Sequence, residues 1–224
     1  LPPGRDVSWV TAAGHEVIVA DARDGVDKID RVVGRRLQRL IESRSFAPAL
    51  SDNRLAYKVL RFPNDQAPVP SSFVLIVRDL TTGQQRTVYE TPDSSGPPNW
   101  GPDGSLAVLA NYGSPDNRIL IIGADGGRRE LQAAVPGATY LQWSRAGPLA
   151  ITNFKGQSAL IDPGSGRSDP LPSEWNPLCW SPDGRSLMVG QGRRLGLIGL
   201  GDLTRVKPLG SFGKPVSGCA WVGS

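Results

Sequence analysis

Short apolar runs alternate along this chain with clusters of Gly, Pro, Asn and Asp. Three such runs occupy 106–110, 118–123 and 128–133, and three more occupy 186–190, 195–200 and 205–209. Each has strand length, and the residues between them tolerate the positive φ that tight hairpins require. The pattern predicts antiparallel sheet. One segment departs from it: Ile29, Val32, Val33, Leu37, Leu40 and Ile41 fall at helical spacing, with Gly34 among them. An outer strand to about Val33, then a basic excursion over 34–45, is the expectation there, with a helix in the excursion left open.

The runs belong to a repeat. Asn99-Trp-Gly-Pro-Asp-Gly-Ser-Leu106, Gln142-Trp-Ser-Arg-Ala-Gly-Pro-Leu149 and Cys179-Trp-Ser-Pro-Asp-Gly-Arg-Ser-Leu187 align, as do the truncated Ala220-Trp-Val-Gly-Ser224 and the degenerate Ala49-Leu-Ser-Asp-Asn-Arg-Leu55. Their anchors Leu50, Trp100, Trp143, Trp180 and Trp221 stand 50, 43, 37 and 41 residues apart. That period fits one four-stranded propeller blade. The chain starts on a turn: Leu1-Pro-Pro-Gly-Arg-Asp-Val aligns with the residues that follow Trp180, and it ends on a tryptophan strand with no blade behind it. A five-bladed β-propeller of four-stranded antiparallel blades is therefore expected, closed by the C-terminal strand completing the N-terminal blade. It would be one domain over 1–224, with blade 1 at 1–45 plus 216–224, and blades 2 to 5 at 46–94, 95–137, 138–174 and 175–215.

The phrases Trp180-Ser-Pro-Asp-Gly-Arg and Trp100-Gly-Pro-Asp-Gly, each followed by an apolar strand, resemble the bacterial TolB-type, WD-like propeller repeats. The resemblance covers 45–224 and, more loosely, 1–33. TolB itself is six-bladed with an added α/β domain, so the likeness is one of architecture. It implies company with periplasmic accessory proteins, sensor ectodomains and peptidase propellers, and hence an extracytoplasmic setting in the bacterial cell envelope, secreted, periplasmic or tethered.

Composition narrows the chemistry. Five of the 25 basic residues are lysine and 20 are arginine, and the net charge of +4 is spread along the chain, which does not point to nucleic acid. No apolar run is long enough to span a membrane, and no secretory leader opens the chain, whose start reads like the inside of a domain. With one histidine, His15, and two cysteines, Cys179 and Cys219, metal and histidine chemistry have little to build on, and no cofactor is expected. Cys179 and Cys219 precede their tryptophans by one and two positions, which predicts opposite faces and two free thiols unless a bulge intervenes.

Trp100, Trp143, Trp180 and Trp221 recur at one repeat position and are read as packing between blades, and Asp103 and Asp183 as caps of their own turns. Asn99, Tyr140, Gln142, Asn176 and Ser217 lie on the inner strands and are expected to line a channel. No Asp or Glu joins them there, so the acid–base pair of a propeller glycosidase is missing and no catalytic residue is assigned. The longer connections all fall on one face, where Arg35, Arg36, Arg39, Arg44 and Arg61, with Trp175, form the candidate partner-binding site. The reading is a monomeric, non-enzymatic scaffold that binds a protein or a small polar or acidic ligand. An enzyme or enzyme subdomain acting on glycans or peptides is the alternative.

Overall fold

The computed structural model describes residues 7–13, 16–21, 28–42, 44–64, 67 and 69–214. Every regular element among them is a strand, and the strands form five antiparallel four-stranded sheets, an all-β five-bladed propeller architecture. Each sheet takes its strands in sequence order. The first holds β1 (Val7–Ala13), β2 (Glu16–Asp21), β3 (Lys28–Val33) and β4 (Arg36–Ile41), and the second β5 (Ser45–Ser51), β6 (Arg54–Arg61), β7 (Ser72–Asp79) and β8 (Gln85–Thr91). The third holds β9 (Asn99–Trp100), β10 (Leu106–Ala110), β11 (Arg118–Ile122) and β12 (Arg128–Gln132). The fourth holds β13 (Ala138–Trp143), β14 (Leu149–Asn153), β15 (Ser158–Ile161) and β16 (Ser168–Pro170), and the fifth β17 (Asn176–Trp180), β18 (Ser186–Gln191), β19 (Arg194–Gly199) and β20 (Asp202–Ser211).

The first sheet corrects the expected excursion at 34–45. Residues 36–41 form β4, neither a loop nor a helix, because Gly34 at φ 58° turns the chain and pairs Val33 with Arg36 and Ile29 with Ile41. The helical spacing was two strands read straight through a hairpin. The sheet therefore has four strands of its own, and β1 lies beside β5, where the Leu50 N–H donates to Thr11 Oγ1 at 3.1 Å. The closing strand expected within 216–224, together with Trp221, Ser217 and His15, lies outside the described residues.

The chain divides into two compact units, 1–100 and 101–224. In the first, Ile18, Ile29, Ile41, Leu50, Leu55 and Tyr57 pack between adjacent sheets. The Trp100 indole N–H donates to the Ala49 carbonyl at 3.0 Å, and the Arg54 guanidinium lies 4.5 Å over its ring. In the second unit β10, β14 and β15 are buried along almost their whole length, so they read as unbroken apolar runs. Trp180 donates to the Gln142 carbonyl at 3.2 Å, while Trp143 donates to Gly147 within its own turn at 2.7 Å. Gly101 stands where Trp180 is followed by Ser181, and the Trp143 ring lies so close that a Cβ there would meet it at 3.0 Å.

The Pro-Asp-Gly turns are held locally. Asp103 accepts from the Ser105 N–H at 3.0 Å, and Asp183 from the Arg185 N–H at 3.0 Å. The Ser181 hydroxyl, then the Arg185 N–H, hold the Asp183 carboxyl below its ordinary pKa. Gly184, at φ 72°, packs on the turn of the preceding sheet, its carbonyl accepting from Ser144 Oγ at 2.6 Å. Cys179 is disulfide-bonded, which corrects the expected free thiol; the other half of the bond lies outside the described residues.

Candidate functional site

The arginines expected to form one patch are divided by the hairpin that β4 creates. Arg35 and Arg36 sit at the β3–β4 turn, one end of the sheet. Arg44, which enters β5, and Arg61, which ends β6, sit at the other end, because β4 has carried the chain back. Nor are these cations idle. Arg39 Nε pairs with the buried Asp30 carboxylate at 2.6 Å, Arg44 stacks 4.4 Å over Phe62, and Arg61 binds both Glu90 oxygens at 3.0 Å. Trp175 packs against the core of the fifth sheet beside Gly196, with the Arg194 guanidinium 5.9 Å away.

The inner-strand residues are engaged in a similar way. The Tyr140 hydroxyl lies 2.8 Å from Gln142 Oε1 and 2.9 Å from the Leu178 carbonyl, and burial raises its pKa. One phenol proton shared between two acceptors ties β13 to β17. Asn99 donates to the Pro97 carbonyl at 3.2 Å, and Asn176 accepts from Thr152 at 3.4 Å. Lys58, 3 % exposed on β6, is spent as well. Its ammonium donates to the Ser95 carbonyl and lies 4.7 Å from the Phe46 ring and 5.3 Å from Phe73, while burial lowers its pKa to about 8.

A different region presents groups that the fold does not use. Asn153, 6 % exposed at the end of β14, accepts from the Lys155 N–H at 2.9 Å and the Gln157 N–H at 3.1 Å. Its amide nitrogen donates to the Pro136 carbonyl at 3.0 Å and to Gln157 Oε1 at 2.7 Å. Four hydrogen bonds from one buried side chain hold a turn whose tip, Phe154, is 90 % exposed. Gly156 at φ 75° closes that turn.

Lys155, Gly156 and Gln157 of this turn line a cleft of about 420 Å³, with the Phe154 ring next to them in sequence and outside the lining. Its apolar wall includes Val135, Pro136, Ala159, Pro170 and Leu171; Lys155 and Glu174 supply charges of opposite sign. Glu174 has φ 70°, a conformation costly for a side-chain-bearing residue, and its carboxylate accepts from Gln191. Gln157, Ser158, Ser168 and Ser173 complete a lining that is part apolar and part polar, a surface that can both bury a ligand and orient it by hydrogen bonds. The cleft belongs to the face that carries the between-sheet and second-to-third-strand connections, the face expected to bind. Its residues were not singled out from the sequence, though the Asn-aromatic-x-Gly phrase at 153–156 was a visible turn signal.

Among the described residues no three His, Cys, Asp or Glu side chains come together as a metal site requires, and no helix is long and apolar enough to cross a membrane. No family model and no curated protein matches the sequence. Solved structures do resemble the fold. TolB from Acinetobacter baumannii aligns at 17 % identity and a TM-score of 0.61, over 90 % of this chain and 49 % of that one. An oligogalacturonate lyase in complex with manganese aligns at 16 % identity and 0.66, over 88 % and 62 % of the two chains. The β-propeller domain of the Trilobed protease from Pyrococcus furiosus, described as having an open velcro topology, aligns at 13 % and 0.66, over 91 % and 70 %. This chain thus spans about half of that TolB and under two thirds of that lyase. The TolB-like architecture expected from the repeat is borne out.

Proposed function

We propose that the chain is a non-catalytic binding module of the bacterial cell envelope that takes a protein or peptide segment at the Phe154 cleft. One observation carries this reading: a buried asparagine spends four hydrogen bonds on a turn that offers a large aromatic ring to water. Exposing a phenylalanine forfeits the stabilisation that burying it would bring, about 1.5–3 kcal/mol. A firmly held, exposed aromatic on the turn that lines a mixed apolar and polar cleft matches the anchor residues that dominate protein interfaces. Lys155 and Glu174, on either sign of charge, would then set orientation. The disulfide at Cys179 accords with an oxidising compartment, as does the likeness to TolB.

The test pans a random peptide library, displayed on phage, against the immobilised chain. Selected peptides are expected to lose at least tenfold in affinity on Phe154→Ser and to keep it on Arg185→Glu, remote in sequence on a tight turn. Peptides indifferent to Phe154→Ser would refute the site. Turnover of oligogalacturonate by the purified chain, surviving repurification, would replace the binding reading with the enzymatic one that the lyase neighbour keeps in view.

A further inference from the structure

The outer edge of the fifth sheet carries a second combination of exposed groups, independent of the cleft. Over residues 192–214 the chain holds Arg193, Arg194, Arg205, Lys207 and Lys214 against a single acid, Asp202. All five cations are exposed, and among the described residues none of Arg193, Arg205, Lys207 and Lys214 joins an ion pair. Asp202 is occupied locally, accepting from the Thr204 N–H at 3.1 Å and the Thr204 hydroxyl at 2.7 Å. Thr204 first, then the charge of the adjacent Arg205, hold its carboxyl below the ordinary pKa, so this one acid offsets Arg205 in part and leaves the other four cations without an acid.

Two large apolar side chains stand among these charges. Gly210 pairs with Leu195 and Pro208 with Gly196, so Leu209 is the extra residue of a β-bulge and is turned out of the ladder. It is 48 % exposed, and Phe212, just beyond, is 54 % exposed. Phe212 is not a loose end: its N–H donates to the Arg193 carbonyl at 2.8 Å. The register sets Arg194 opposite Ser211 and Leu197 opposite Lys207, so cations flank both apolar groups on paired strands.

Edge protection alone accounts for Lys207 and Pro208, since a charge and a missing N–H both deter pairing with another strand. It does not account for Leu209 and Phe212, which make an edge stickier. Unbalanced cations around protruding apolar side chains along an open sheet edge have one good complement. The geometry points to peripheral docking of this edge on an anionic phospholipid surface, with Leu209 and Phe212 entering the headgroup layer and the five cations facing lipid phosphates.

Vesicle co-sedimentation of the full chain tests this directly. The chain should pellet with vesicles of phosphatidylcholine mixed with phosphatidylglycerol, stay in the supernatant with phosphatidylcholine alone, and be released by raising salt. Each charge near such a surface changes partitioning roughly fivefold, so Lys207→Glu with Lys214→Glu should abolish pelleting. Leu209→Ser with Phe212→Ser, which keeps every charge, should weaken it by roughly tenfold. Circular dichroism should find both variants folded, as the altered side chains are exposed. Equal pelleting on both lipid mixtures, no pelleting at all, or either folded double variant pelleting like the parent would overturn the assignment. Capture by immobilised polyglutamate without pelleting would also overturn it, and give the edge to an acidic protein.

Discussion

Two turns of the second unit occupy like positions and treat an aromatic residue in opposite ways. In the third sheet Asn111-Tyr112 follows β10, and Tyr112 folds back, half-buried, against the core cluster that includes Leu109, Ile119 and Leu141. Burial raises the pKa of its phenol. In the fourth sheet Phe154 follows β14 and Asn153, and points into water. The difference lies in chain length. Seven residues, 111–117, join β10 to β11, enough for Gly113 to reach the Ala138 carbonyl at 3.1 Å and carry the aromatic inward. Only 154–157 join β14 to β15, and three of the four, Lys155, Gly156 and Gln157, are bonded to Asn153. A short turn held this firmly has no slack with which to hide its ring. The lesson is that an aromatic at a turn is core or contact according to the length of the turn that carries it.

Tyr112→Ser should have the largest effect on stability. Removing a half-buried ring from the core cluster is expected to cost about 2–3 kcal/mol, within the range for large-to-small core changes. Chemical denaturation would read it as a lower midpoint at unchanged slope. A cost under about 0.5 kcal/mol, the level of an ordinary surface substitution, would erase the contrast between the two turns.

Asn153→Ala comes next. It strips the turn of its organiser and leaves the Pro136 carbonyl and two backbone N–H groups without their partner, at about 1–3 kcal/mol. Here the stability change should come with a functional one, since the turn would no longer present Phe154 in a single position. Peptides selected on the parent chain should bind this variant more weakly even at temperatures where it is fully folded. Undiminished binding would mean that the ring, and not its rigid carriage, is what matters.

How much of this was legible beforehand varies with the physics involved. The tryptophan repeat was legible, because Trp100 and Trp180 satisfy their indole N–H groups across to the preceding inner strand and so recur at blade spacing. The Pro-Asp-Gly turns were legible because their capping is local. The arginine patch was not. One unrecognised hairpin at Gly34 reversed the parity of the strands and sent Arg35 and Arg36 to the far end of the sheet from Arg44 and Arg61. The Cys179 bond follows from a bulge that simple alternation does not predict, between Pro177 and Cys179. Phe154 escaped for a subtler reason. The residues 153–156 alone do not mark it; the contrast with Tyr112 lies in the shorter connection, four residues against seven, and in the tertiary contacts that the longer one reaches.

Phe154→Ser should have the smallest effect on stability, and that small effect is itself the discriminating result. A side chain 90 % exposed makes little use of its apolar surface in the folded state, so its removal should shift stability by no more than about 0.5 kcal/mol. The hydrogen bonds of Asn153 run to the backbone of residues 155 and 157, to the Pro136 carbonyl and to the Gln157 side chain, and none needs the ring. The turn should therefore persist, which hydrogen exchange at the Lys155 and Gln157 amides can follow. Unchanged protection and an unchanged melting temperature, alongside lost peptide affinity, would mark Phe154 as a residue kept for its partner. A drop in stability comparable with that of Tyr112→Ser would mean instead that the ring packs against the protein, and the cleft would lose its anchor.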